Sequence, residues 1–158
     1  MRLRTALGLA ALLAGPVPAA AAEIDLPAVA ACVEAHAAMG DFPAPCLAKT
    51  MAECRAIPPD SPALASQCFR EARESWFDGI AAHMAEIRKT APEEIAAIAG
   101  IELKYDLMAD MTQCDRMEEL ALVGPGAAED IQRQKDTCAA AAAGKAYIRL
   151  LWRSRNLQ

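Results

Sequence analysis

Apolar residues recur along most of this chain with the period of a helix. Between Pro62 and Lys89, Phe69, Ala72, Trp76, Ile80, Met84 and Ile87 follow one another at three- and four-residue steps and so form one stripe. Arg70, Arg73, Glu74 and Asp78 fall off that stripe. Proline, glycine and capping residues delimit the other segments. A helix from Pro27 to Met39 has proline near its first turn and Gly40 as its stop. Pro43 and Pro45 open a second, from Cys46 to Ala56. After Ile57-Pro58-Pro59-Asp60, the Ser61 hydroxyl is placed to cap the helix that begins at Pro62. Thr90-Ala91-Pro92-Glu93 has the form of a capping box, ahead of a helix running to Leu122. Val123-Gly124-Pro125-Gly126 is a turn, and a last helix runs from Ala128 to Ser154.

Alanine is abundant, while β-branched and aromatic residues are scarce, which favours helix over strand. The predicted fold class is all-α: an antiparallel helical bundle of about four to five helices, since long helices joined by short loops pack as antiparallel neighbours. The tract Ala139 to Ala143 allows close helix approach. Near the C-terminus, Tyr147, Ile148, Leu150, Leu151 and Trp152 cannot all share one side of a helix, which leaves core packing and an interface both open.

The first 22 residues read differently. Arg2 and Arg4 precede the apolar run Ala6 to Leu13; Gly15, Pro16 and Pro18 break it, and Ala20-Ala21-Ala22 offer a small-residue cleavage site before Glu23. This is the order of a secretory signal peptide, and the run is shorter than the roughly 20 residues a membrane span needs. Residues 23–158 are then expected as one mature domain, periplasmic or secreted, with no stable membrane insertion. Losing Arg2 and Arg4 leaves 14 basic against 21 acidic side chains, a formal charge of −7. That balance disfavours nucleic acid as a partner and favours a basic protein.

All six cysteines, Cys32, Cys46, Cys54, Cys68, Cys114 and Cys138, lie in the mature part, and an even number in an exported chain implies disulfides. No C-x-x-C is present, so thioredoxin-like chemistry, zinc knuckles and haem attachment lack their spacing. Each successive pair flanks a loop or turn, which favours the pairing 32–46, 54–68, 114–138; a nested 32–54 with 46–68 is the alternative.

Candidate chemistry is sparse. His36 and His83 stand in no catalytic motif, so no enzyme and no cofactor is expected. Met108 and Met111, with His83 elsewhere, could suit copper, a lesser alternative because helix-spaced methionines usually fill cores. Glu102, Asp106 and Asp110, spaced i, i+4, i+8, form an acidic stripe, either a solvated face or a docking stripe for a basic partner. Lys145, Arg149, Arg153 and Arg155 sit where the macrodipole of the last helix favours cations.

The run Pro45-Cys46-Leu47, Glu53-Cys54, Ser66-Gln67-Cys68-Phe69-Arg70-Glu71 and Ser75-Trp76-Phe77-Asp78 resembles the LprI-type lysozyme inhibitor family of small exported helical bacterial proteins. Cys32 and Cys46 match the extra upstream pair of some members, Cys114 and Cys138 the later pair, and Arg149 an arginine after the last cysteine. The family's Gln-Arg-x-Trp segment is replaced by the acidic run from Ile101 to Asp110, which makes this a divergent member. The resemblance implies a protein-binding domain that inhibits a lysozyme by direct contact. A structural or assembly role at the cell envelope is the alternative.

Overall fold

The computed structural model describes residues 23–155, and the expected signal segment 1–22 lies outside the described residues. The fold is all-α. Among the described residues six helices follow one another: α1 Leu26–Ala38, α2 Ala44–Thr50, α3 Ala52–Arg55, α4 Pro62–Thr90, α5 Glu93–Leu122 and α6 Ala128–Ser154. The expected second helix is two short ones, broken at Met51, whose side chain is wholly buried.

Helix ends follow local chemistry, with two departures from expectation. The Asp25 carboxylate accepts a hydrogen bond from the Ala28 N–H and caps α1. Gly40, at φ +75°, ends it: the Gly40 and Asp41 amides donate back to the carbonyls of Ala37 and His36, the Schellman arrangement that only a left-handed residue closes cheaply. Ser61 occupies the N-cap of α4, but its hydroxyl donates to Asp60 instead of accepting from the helix. The capping box does not form either. Thr90 is the last residue of α4, its hydroxyl donating to the Glu86 carbonyl, and Pro92 is the N-cap of α5.

The long helices arrange themselves around α6. Its pairings with α5 run in opposite order along the two helices, Lys135 with Glu118, Cys138 with Cys114, Arg149 with Asp106, so these two are antiparallel. Its pairings with α4 run in the same order, Asp136 with Ser66, Tyr147 with Trp76, Ser154 with His83, so these two are parallel. Helices α4 and α5 each lean on α6 more than on each other.

This placement explains the composition of α6. Ala139, Ala140, Ala142, Ala143, Gly144 and Ala146 are all buried, and small side chains let two neighbours approach closely. Tyr147, Ile148, Leu150 and Leu151 are buried too, because α6 is covered on more than one side. Trp152 is partly buried, edge-on to Phe42 with Arg155 over its ring. The α4 stripe Phe69, Ala72, Trp76, Ile80, Met84 and Ile87 is buried throughout, and α1 adds Val29 and Val33. The cysteines pair sequentially, Cys32–Cys46, Cys54–Cys68 and Cys114–Cys138. Three disulfides fit an oxidising, exported environment. No helix among the described residues is long and apolar enough to cross a membrane.

Candidate functional site

The acidic stripe of α5 is paired within the molecule, Asp106 and Asp110 being partly buried and Glu102 exposed. It is turned toward α6, where Lys145, Arg149 and Arg153 repeat the same i, i+4, i+8 spacing in reverse. Arg153 lies 2.8 Å from Asp106 and 3.5 Å from Glu102; Arg149 lies 3.2 Å from Asp106 and 3.5 Å from Asp110; Lys145 reaches Asp110 at 3.9 Å. The ladder continues to Lys135, which bonds Glu118 and lies 3.9 Å from Asp115. Hydrogen bonding to Glu118 raises the Lys135 ammonium above its ordinary range. The stripe's charges are thus compensated within the molecule, where they hold α5 in register on α6. The cations of α6 do more here than answer its macrodipole, since three of the four meet carboxylates of the neighbouring helix.

At the open end of this ladder, a cleft of about 390 Å³ lies between the start of α5 and the end of α6. Ile95, Ile98 and Leu103 face Leu150, Trp152 and Arg153 across it. It holds no histidine or cysteine, and its one cation–carboxylate set is the ladder itself.

The titratable side chains do not converge. The His83 ring nitrogen lies 2.7 Å from the Ser154 hydroxyl, which itself donates to the Leu151 carbonyl. Burial lowers the His83 pKa from its ordinary value near 6.5, with Glu86 pulling in the opposite direction. His36 sits beside the Cys32–Cys46 bridge, a ring nitrogen and the two sulfurs within 4.8 Å of one another, but both sulfurs are consumed in the disulfide. The methionine set is not assembled. Met111 packs against the core, Met108 points outward, and His83 belongs to a different helix. Met84 touches the Gly100 position, so Met108 lies eight residues, about 12 Å, further along α5 than the His83 level.

One buried polar cluster was not legible in the sequence. Asp136, 4 % exposed, accepts from Ser66 at 2.8 Å, Arg70 at 2.9 Å and Gln132 at 3.1 Å, all at one carboxylate oxygen. It fastens the start of α4 to α6. Its only sequence signal is a lone acid at a core-facing position.

Uncompensated acid is found elsewhere. A cleft of about 230 Å³ where α1 meets α2 and α3 is lined by Glu23, Asp25 and Glu53, with Lys49 as its one cation. All four side chains are exposed, and none has an ion-pair partner among the described residues. The Cys32–Cys46 disulfide forms part of the wall, so the cleft is held covalently.

Comparison with known proteins places no relative beside this arrangement: no protein-family model, no curated protein and no solved structure matches the chain.

Proposed function

We propose that this chain is an exported, non-enzymatic domain that binds a basic protein, with a lysozyme as the target that the family resemblance implies. The observation that carries this reading is the cleft of Glu23, Asp25 and Glu53, three exposed carboxylates against one lysine on a disulfide-held surface. A formal charge of −7 on residues 23–158 supports it, because an acidic surface accelerates encounter with a basic partner and selects against acidic ones. The Glu102–Asp106–Asp110 stripe is not the contact in this reading, since its carboxylates are already paired. The periplasm, where a lysozyme would threaten the cell wall, is the proposed location.

The test is the lytic activity of a basic lysozyme with and without excess oxidised protein, at low and physiological salt. Inhibition at both salts, weaker at the higher, is expected for a contact steered by charge. Full lytic activity at both salts, with the added protein shown to be folded, would contradict the lysozyme reading.

A further inference from the structure

Three features meet at one disulfide. Cys32 and Cys46 both line the acidic cleft of about 230 Å³, so their bridge is reached from solvent through it. His36 stands beside the same bridge, one turn after Cys32 on α1, with a ring nitrogen within 4.8 Å of both sulfurs. Its Nδ1 is buried and makes no hydrogen bond. Packing gives no reason for an unpartnered ring nitrogen there, whereas sulfur chemistry does. The other two bridges lack this arrangement. The chain has two histidines, and His83 is engaged by Ser154. Among the described residues, neither Cys54–Cys68 nor Cys114–Cys138 has a histidine so placed.

Thiol–disulfide exchange needs a thiolate that attacks one sulfur and a second sulfur that leaves with the electron pair. Cys46 is 1 % exposed and Cys32 only partly buried, so an incoming thiolate reaches Cys32. Its sulfur bonds to the Cys32 Sγ, the bond to Cys46 breaks, and the electron pair leaves on the Cys46 Sγ. The His36 imidazolium gives that thiolate a proton, replaced by the one the incoming thiol shed. The products are a mixed disulfide on Cys32 and a thiol at Cys46, with no further oxidant or reductant. Glu23, Asp25 and Glu53 against Lys49 make the entrance acidic, which repels an anionic thiol and draws one that carries an ammonium group.

We propose that Cys32–Cys46 is an exchange site for a small cationic thiol, an aminothiol, with His36 as the proton donor. The cleft is below the usual size of a drug-like pocket and admits a small molecule, not a protein segment. The site shares its entrance with the proposed partner contact but does not rest on the lysozyme reading, because exchange is read on this protein alone.

The test treats the oxidised protein with cysteamine, mercaptoethanol or glutathione, alkylates free thiols at intervals and maps each bridge by peptide mass spectrometry. Each rate is divided by that of the same thiol with hydroxyethyl disulfide, which removes differences in thiol reactivity. With cysteamine, Cys32–Cys46 opens first, at least about tenfold faster than either other bridge, and the adduct is on Cys32. The normalised rate falls from cysteamine through mercaptoethanol to glutathione, by about threefold or more, and the differences shrink in high salt. His36→Gln slows this bridge by about tenfold and leaves the other two unchanged. Another bridge opening first, or equal normalised rates for the three thiols, overturns the proposal. An unchanged rate in His36→Gln overturns the role of His36. Should His36→Gln open all three bridges faster, its fold is lost, and the charge dependence in the wild type then upholds or overturns the site by itself.

Discussion

Gly144 shows how far single residues constrain this fold. A Cβ there would lie 2.5 Å from a Leu47 methyl and 2.9 Å from the Trp76 ring. Alanine would gain about 1 kcal/mol of helix propensity, but overpacking against a locked ring costs about 1–3 kcal/mol. The leucine end can swing aside; the Trp76 indole, fully buried, cannot. Overpacking therefore wins, and Gly144→Ala should lower the unfolding free energy by about 1 kcal/mol in urea titration. An unchanged or raised midpoint would mean that Trp76 has room to move.

His83 sets a pH dependence whose direction is fixed by its burial. Its folded pKa lies below the ordinary value near 6.5, so the unfolded chain binds the proton more readily. Stability from this group is full above that value and is lost as the pH falls from about 6.5 through the folded pKa. Thermal unfolding of wild type and His83→Gln should diverge in that window, the wild type losing more stability on acidification. Parallel curves from pH 7.5 to about 5 would remove His83 as the cause.

Among the elements, α6 determines the arrangement, because it is the helix that both long neighbours share. Its attachment to α5 is part ionic and part covalent. The Cys114–Cys138 bridge closes a loop across a sequence separation of 24, worth roughly 3 kcal/mol through the unfolded state. The ion pairs contribute less singly, being partly exposed, but Asp106 is shared by Arg149 and Arg153 and is 19 % exposed at its side chain. A double-mutant cycle on Asp106→Asn and Arg149→Gln should give a coupling on the order of 1 kcal/mol that shrinks with added salt. A coupling of zero at low salt would mean that the ladder forms without holding the helices.

Most helix positions were legible in the sequence because their causes are local. The α4 stripe, the stop at Gly40 and the turn at Gly124–Gly126 need no knowledge of neighbours. The role of Glu102, Asp106 and Asp110 was not legible. Their spacing shows that they share a face, and only the position of α6 shows that the face is occupied by cations. Asp136 was hidden for the same reason, its donors Ser66 and Arg70 standing about seventy positions away. Thr90 and Ser61 erred in the other direction, since their motifs fit but the hydroxyls found nearer acceptors.

At the scale of the whole molecule, charge is distributed unevenly. Where α5 meets α6, acids and bases alternate across the contact and cancel. Around the α1–α3 cleft, Glu23, Asp25 and Glu53 outnumber Lys49. In the proposed reading, a basic partner therefore meets the disulfide-held end and not the long helical stripe. Asp25 is a poor probe of it, since its carboxylate caps α1, whereas Glu23 precedes that helix and Glu53 lies in the first turn of the four-residue α3. The most direct measurement is the calorimetric affinity of a basic lysozyme for the wild type, for Glu23→Lys/Glu53→Lys and for Glu102→Gln, at physiological salt. Binding by the wild type is expected, with at least a tenfold loss in the double variant, a change of roughly 1.4 kcal/mol, and little change in Glu102→Gln. Equal binding by the wild type and the double variant, or loss in Glu102→Gln alone, would contradict the proposed reading.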